Sequence, residues 1–375
     1  MKKNIIIFVL CAAICAFPAA VPAAYAASAP EVSAKACVLY EPEGGRWLYE
    51  KNADVRLPMA STTKIMTAMV ALRLLELDEV YTVPRDACGI EGSSLYLAEG
   101  DRVSVRDLLY ALLLRSANDA ASALAILACG SEEAFAAEMN AEAARLGLTN
   151  THFINPHGLD AEGHYCSARD LALILAAAME DERFVEISGC KKYTVQLEER
   201  AQVLYNHNKL LHLTDYALCG KTGFTKKSGR CLASAAVRDG VSLISVTLCA
   251  PDDWNDHIKL FNFGSDRLER KQVITESDAF RVPVTGGTKE ELLCRPSQDF
   301  FAVTEKDGAP PTREVLLPSV IYAPVRQGDI IGVLRIRDDG KVIGEICLLA
   351  GENIEYKEQK RPALLRWLKE AVFGK

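Results

Sequence analysis

The chain has 375 residues, 49% of them apolar and 25% charged, with a formal net charge of −7. That length supports two domains and a sizeable core, and the composition excludes a disordered chain. The acidic balance excludes a nucleic-acid partner, and it restricts any attraction to an anionic membrane to a local patch.

Lys2 and Lys3 precede an apolar run from Ile5 to Ala16, followed by Pro18, Pro22 and the small-x-small triplet Ala24-Tyr25-Ala26. The run is too short to span a bilayer, so residues 1–26 read as an export signal. Of twelve cysteines, Cys11 and Cys15 leave with that signal. The remainder show no C-x-x-C spacing and sit in apolar runs such as Ala36-Cys37-Val38-Leu39. They read mostly as buried free thiols rather than a metal site or a disulfide frame.

Residues 36–50 alternate like a hairpin turning at Pro42-Glu43-Gly44-Gly45. A helix is expected from about Ser61 through Leu74, on the spacing of Ile65, Met66, Met69 and Val70. Ser104-Val105-Arg106-Asp107 resembles a capping box for a Leu-rich helix ending near Leu114. Asn118-Asp119 is expected to cap an Ala-rich helix stopping at Gly130. Further helices are expected at 132–146, closed by Gly147, and at 168–180, opened by Ser167. Strands are expected at 219–224, 231–237 and 241–249.

After about residue 265 helical periodicity gives way to short strand-like runs between Gly, Pro and Asp turns, an all-β module. The last residues change again. Pro362 can start a helix that places Leu364, Leu365, Leu368 and Val372 on one face, with Arg361, Arg366, Lys369 and Lys375 elsewhere. The pattern fits a helix lying in a membrane interface, or one docked on the β module. The resulting division is an export signal at 1–26, a main domain at 27–265, a β-rich domain at 266–356 and a terminal amphipathic helix at 357–375.

Three short motifs carry the chemistry. Ser61-Thr62-Thr63-Lys64 opens a helix, and residues three apart share a helix face, so Lys64 can act as base for the Ser61 hydroxyl if its amine is neutral. Burial and a second cation, with Lys221 the candidate, would push the amine toward neutrality. Ser116-Ala117-Asn118 lies between two helices, where Ser116 can pass a proton to a leaving amine and Asn118 can hold a substrate amide. Lys221-Thr222-Gly223 lies in a strand. Lys221 and Thr222 can bind a carboxylate, and Gly223 lets a backbone approach closely. Ser188-Gly189-Cys190-Lys191 also matches the first pattern, but no Ser-x-Asn separates it from the Lys-Thr-Gly, so it reads as accidental. His152, His157 and His164 cluster in a Gly/Pro/Asn-rich loop without an H-E-x-x-H spacing, which favours loop hydrogen bonding over a metal. No metal and no cofactor are expected.

With their flanks these motifs become specific: Leu57-Pro58-Met59-Ala60-Ser61-Thr62-Thr63-Lys64-Ile65-Met66-Thr67, Glu91-Gly92-Ser93-Ser94, Leu113-Leu114-Arg115-Ser116-Ala117-Asn118-Asp119-Ala120, Asn155-Pro156-His157-Gly158-Leu159-Asp160 and Gly220-Lys221-Thr222-Gly223-Phe224-Thr225. In them the chain resembles the serine-type D-alanyl-D-alanine carboxypeptidases, the low-molecular-mass penicillin-binding proteins. The resemblance implies an α+β fold, an antiparallel sheet flanked by helices as in serine β-lactamases, followed by a small all-β domain and a C-terminal amphipathic helix. It implies a peptidoglycan stem peptide as substrate, acylated on Ser61, and β-lactam antibiotics as covalent inhibitors. It further implies an oxyanion hole from the backbone N–H groups of Ser61 and Phe224, and attachment to the outer face of the cytoplasmic membrane through the terminal helix. A class A β-lactamase, the nearest enzymatic alternative, would carry a loop Glu-x-x-x-Asn between Ser116 and Lys221, and none is present. A silent wall-binding protein would have no need of Ser61, Lys64, Ser116, Asn118 and Lys221 together.

Overall fold

The computed structural model describes residues 29–197 and 200–357. The expected export signal lies outside these residues, as does the expected terminal amphipathic helix from residue 358 onward. The expected hairpin is β1 (Ala36–Glu41) paired antiparallel with β2 (Arg46–Lys51). A 3-10 turn at Ala60–Thr63 leads into α1 (Lys64–Leu74). A small ribbon follows, β3 (Val80–Thr82) with β4 (Arg102–Ser104). Next is α2 (Val105–Tyr110), where the Ser104 hydroxyl accepts the Asp107 amide at 3.0 Å, as the capping box requires.

The helix then widens into a π turn at Ala111–Arg115, a local widening frequent at functional sites. α3 (Asn118–Cys129) ends at Gly130, whose φ of +83° suits a glycine stop. Asn118 and Asp119 do not cap this helix. Ala117 occupies the cap position, and both polar side chains are committed elsewhere. α4 (Glu132–Arg145), α5 (Ala168–Ala178) and α6 (Glu182–Gly189) complete the helical layer. A second ribbon, β5 (Lys192–Leu197) with β6 (Arg200–Tyr205), precedes the single turn α7 (Leu210–Leu213). Then come β7 (Ala217–Thr225), β8 (Gly229–Arg238), β9 (Val241–Leu248) and α8 (Asp253–Ser265).

Five strands form one antiparallel sheet in the order β2-β1-β9-β8-β7. Period-2 alternation sends neighbours to opposite faces. Val38, Ile244 and Val246 join the large core under α1, α3 and α5, whereas Cys37, Leu39, Val241 and Leu243 join a second core with Leu260 and Phe261 of α8. α1 is the central helix. Ile65, Met66, Ala68, Val70, Ala71 and Leu72 are all buried, so the single stripe read from sequence understates its burial. β7 ends the sheet, so one of its edges is unpaired and borders the cleft described below.

The β-rich part contains β10 (Leu268–Ile274), β11 (Phe280–Thr285), β12 (Glu291–Pro296), β13 (Phe300–Glu305), β14 (Thr312–Leu316), β15 (Ile321–Tyr322), β16 (Ile330–Asp338) and β17 (Lys341–Ala350). Six of these form the sheet β14-β16-β17-β12-β11-β15, and β10 pairs with β13 as a separate ribbon. That ribbon belongs to both halves. Leu268 and Val303 pack into the α8 core, while Val273, Ile274 and Ala302 pack into the core of the β-rich half. All ten cysteines from Cys37 to Cys347 are free thiols, half of them buried rather than most.

Candidate active site

Ser61 sits on a tight, strained turn. Ala60, just before Ser61, has a φ of +50°, which an L residue with a Cβ adopts only when its surroundings hold it there. The Thr62 hydroxyl donates to the Met59 carbonyl at 2.7 Å, and the Thr63 hydroxyl donates to the Ala60 carbonyl at 2.8 Å. His164 Nε2 lies 2.9 Å from that Thr63 oxygen, while His164 Nδ1 accepts the Ile154 amide at 3.0 Å. Nδ1 is therefore the acceptor nitrogen, and the ring proton sits on Nε2, donating to Thr63. Burial, with His157, His152 and Lys64 nearby, lowers the His164 pKa to about 4, so this ring is neutral at physiological pH.

Two glycines allow the backbone to close on this turn. A Cβ on Gly158, at φ +85°, would lie 2.1 Å from the Ala60 carbonyl oxygen. A Cβ on Gly223 would lie 2.9 Å from the Met59 oxygen and 3.0 Å from the Ser61 amide nitrogen. The sequence assigned Gly223 to close approach of a substrate backbone. The side of this residue that lacks a Cβ faces the Met59–Ser61 turn instead, and the glycine lets β7 pack directly against it.

Lys64 is fully buried. Its Nζ lies 3.1 Å from Ser61 Oγ and 2.7 Å from Asn118 Oδ1, and it also reaches the His157 carbonyl oxygen. Burial lowers its pKa well below the ordinary lysine value, Lys221 lowers it further, and Asp119 opposes the shift. A neutral amine has two N–H donors and one lone pair. Asn118 Oδ1 and the His157 carbonyl can only accept, so they take the two donors. The lone pair is left for Ser61, the orientation a general base requires.

Asn118 is itself fixed. Its Nδ2 donates to the Glu91 carbonyl, and its main-chain amide donates to the Ser93 carbonyl at 2.7 Å. Asp119 ties the same loop down by accepting the Leu95 and Leu97 amides, each at 3.0 Å. The His157 carbonyl is held by its own loop, where Asn155 Oδ1 accepts the Gly158 amide at 2.7 Å and Asn155 Nδ2 donates to the Leu159 carbonyl at 2.9 Å.

An open cleft of about 500 Å³ runs along β7, with Ser61, Ser93, Ser116, Thr222, Gly223 and Phe224 in its walls. Ser116 reaches it from a left-handed backbone at φ +64°, directly after the π turn. Phe224 is 67% exposed at the cleft rim. Lys221 is 1% exposed, its Nζ donates to the Thr222 carbonyl at 2.9 Å, and burial lowers its pKa to about 7. The structure thus gathers Ser61, Lys64, Ser116, Asn118, Thr222, Gly223 and Phe224 at one cleft, with Lys221 buried beside it.

The second Ser-x-x-Lys pair stays apart. The Ser188 hydroxyl is buried on the Phe184 carbonyl at 2.7 Å, and Lys191 is exposed. Sequence reading did not single out the His157 carbonyl, the His164–Thr63 brace or the Asp119 anchor. Each lies in or beside a flanking motif quoted above, so a signal existed, but their roles depend on contacts between segments far apart in the chain.

A family model described as D-alanyl-D-alanine carboxypeptidase matches residues 23–252, and one described as the C-terminal domain of penicillin-binding protein 5 matches residues 268–356. The chain is 30% identical over 351 residues to the D-alanyl-D-alanine carboxypeptidase DacF of Bacillus subtilis, spanning 90% of this chain and 89% of that protein. It is 34% identical over 359 residues to DacC of Escherichia coli, spanning 90% of this chain and 88% of that one. Among solved structures, penicillin-binding protein 5 from Haemophilus influenzae superposes with a TM-score of 0.67 at 29% identity, covering 88% of this chain and 99% of that one.

Proposed function

Because this chain belongs to the D-alanyl-D-alanine carboxypeptidase family, we infer that it removes the terminal D-Ala from peptidoglycan stem pentapeptides by way of an acyl-enzyme on Ser61. It is a serine-type carboxypeptidase of the penicillin-binding protein fold. The observation that carries the mechanism is the Lys64 amine, 3.1 Å from Ser61 Oγ and oriented by two acceptors.

In the acylation step the neutral Lys64 amine takes the Ser61 proton as Oγ bonds to the carbonyl carbon of the penultimate D-Ala. The developing oxyanion is placed against the backbone N–H groups of Ser61 and Phe224. The C–N bond breaks as Ser116 passes its proton to the departing amine and takes up the proton held by Lys64, so D-Ala leaves with Ser116 restored and Lys64 neutral again. Asn118 holds the peptide amide, while Thr222 and the positive potential of Lys221 favour the terminal carboxylate. Water then attacks the ester as Lys64 accepts its proton, and Lys64 returns that proton to the departing Ser61 Oγ, so the shortened peptide leaves as the acid and both residues are restored. A penicillin acylates the same oxygen and its ester is released slowly.

The sequence pattern of an export signal at residues 1–26 and of a basic amphipathic helix at 357–375 supports a position on the outer face of the cytoplasmic membrane. Deleting 357–375 should move the protein from the membrane to the soluble fraction, and unchanged fractionation would reject that attachment. For the chemistry, Ser61→Ala should abolish both D-Ala release from a D-Ala-D-Ala peptide and covalent labelling by a fluorescent penicillin. Labelling that persists in this variant would falsify the nucleophile assignment.

A further inference from the structure

The Lys64 amine is oriented by two acceptors, Asn118 Oδ1 and the His157 carbonyl, and both must stand still for its lone pair to face Ser61. The second acceptor is main chain, so its direction is set by the turn at 157–159. His157 Nδ1 accepts the Leu159 amide at 3.2 Å, across that turn. It can do so only while the ring proton sits on Nε2. With the proton on Nδ1, two N–H groups would face each other and the turn would open.

Nε2 faces the Glu132 carboxylate, with Oε2 at 3.6 Å. That is longer than a hydrogen bond, yet a negative charge at this range favours an N–H over a nitrogen lone pair. Glu132 is the first residue of α4, and the buried Ser122 hydroxyl of α3 donates to its other oxygen, Oε1. Burial raises the Glu132 pKa, but the His157 and Ser122 contacts outweigh it and hold the carboxyl below its ordinary value, so it is ionised at neutral pH. Its side chain is 27% exposed and lines a separate cavity of about 310 Å³ with Asp86, Ile90 and Ser131. Glu132 is not among the residues that line the cleft with Ser61 and Ser116. Of the two side chains it holds, His157 is the one whose residue also touches Lys64.

We propose that Glu132 is a positioning residue for the reaction: its carboxylate, braced by Ser122, selects the Nε2–H form of His157 and so holds the 157 carbonyl against the Lys64 amine. The inference rests on the carboxypeptidase reading above and adds a residue remote from the cleft that keeps its general base aimed. Nothing in this arrangement touches the substrate. Its loss should therefore slow the chemical step and leave ligand binding alone.

The test follows acylation by benzylpenicillin on the full chain, with saturation kinetics separating the binding constant from the acylation rate. Glu132→Ala should lower the acylation rate roughly 10-fold and change the binding constant by less than about 2-fold. Glu132→Gln keeps an oxygen toward Nε2 and toward Ser122, so it should stay within about 3-fold of the wild-type rate. His157→Ala should slow acylation on its own, and adding Glu132→Ala to it should cost less than about 2-fold more, because the carboxylate then has no ring to act on. A wild-type rate in Glu132→Ala, a loss confined to binding, or an equal loss with and without the His157 ring overturns the proposal and leaves the carboxypeptidase reading standing. A wild type that forms no adduct on Ser61 overturns both. If Glu132→Ala does not fold, Glu132→Asp, which draws the carboxylate back from Nε2, takes its place. Slowing that vanishes in the His157→Ala background supports the proposal, and a wild-type rate or a slowing independent of that ring rejects it.

Discussion

The two halves of this chain bury different things. Between Ala36 and Ser265 the interior holds Lys64, Lys221, Asp119, Asp256, His157, His164 and His257. Beyond Leu268, Thr304 is the single buried polar side chain among the described residues, and the charges lie on the surface in cross-strand pairs such as Arg281–Glu291 and Arg335–Glu345. Backbone strain divides the same way. Six non-glycine residues of the first half are left-handed, Ala60 and Ser116 at the cleft among them, whereas among the described residues of the second half Asp339, in the β16–β17 turn, is the one such non-glycine residue. Burying a charge and holding a strained backbone both lower stability. In the first half some of both falls at the cleft, in Lys64, Lys221, Ala60 and Ser116. The β-rich half follows ordinary sheet rules.

The largest effect should come from filling the crossing behind the Ser61 turn. Gly158→Ala sets a Cβ 2.1 Å from a backbone carbonyl at a φ of +85°. We expect more than ~3 kcal/mol of lost stability, or a folded protein labelled by penicillin at least ~100-fold more slowly. Gly328→Ala in the β-rich half has a similar φ of +89° with nothing within 4 Å. There only the backbone penalty of about 1–2 kcal/mol should appear, with labelling intact. Urea melts and labelling rates on both variants decide it. Equal losses at the two sites would erase the contrast between the halves.

Lys221→Met should move activity and stability in opposite directions. With its neighbouring cation gone, the Lys64 pKa rises, less of its amine is neutral at pH 7, and acylation should slow by about 10-fold while recovering at higher pH. Stability should improve because a buried ammonium is removed. The sign follows from linkage. The Lys221 pKa is about 7 in the folded protein against 10.5 for an ordinary lysine, so the unfolded chain binds more protons between those values. Wild-type stability therefore gains a rising contribution across that window, and the variant should lose that slope. A variant with an unshifted acylation pH profile would remove Lys221 from the control of Lys64.

Much of this was legible in the sequence because the determinants are local. Ser61 and Lys64 are one helical turn apart, the Ser104 and Ser167 caps depend on residues three positions on, and the strands of the main sheet alternate clearly. What escaped depends on distant segments. Asn118 looked like a helix cap because its type and position fit one, yet its amide is held by Lys64 and by the Glu91 carbonyl. The role of Gly223 was assigned to a substrate because no local pattern reveals the Met59–Ser61 turn packed against it. Glu132 and His157 lie apart in sequence and meet only because the start of α4 stands beside the 157–159 turn. The boundary near residue 265 marks a change of texture, but the β10–β13 ribbon contributes to the cores on both sides of it.

A smaller effect concerns acid. The His164 pKa is about 4 when folded against 6.5 unfolded, so as pH falls the unfolded chain takes the proton first. The stability supplied by the neutral ring is full above pH 6.5 and is lost as pH drops toward 4. His207 and His257, lowered to about 4 and about 3, add to the same trend. His164→Gln, which can still donate to Thr63, should flatten the acid limb of the melting curve by ~1–3 kcal/mol at pH 4. An unaltered acid limb would show that this ring carries no such linkage.

The smallest effect should lie in the β-rich half, and its size checks the contrast from the other side. Arg335 on β16 pairs with Glu345 on β17 at 2.6 Å and approaches Glu314 on β14 at 3.6 Å. The register places all three side chains directly across adjacent strands. Water reaches every member of this trio, so their attraction is screened and their desolvation slight. Arg335→Ala should therefore lower stability by less than ~1 kcal/mol, the difference should shrink further at high salt, and penicillin labelling should not change. A loss above ~2 kcal/mol that persists in salt would mean these charges are effectively desolvated. The β-rich half would then depend on buried electrostatics as the catalytic half does.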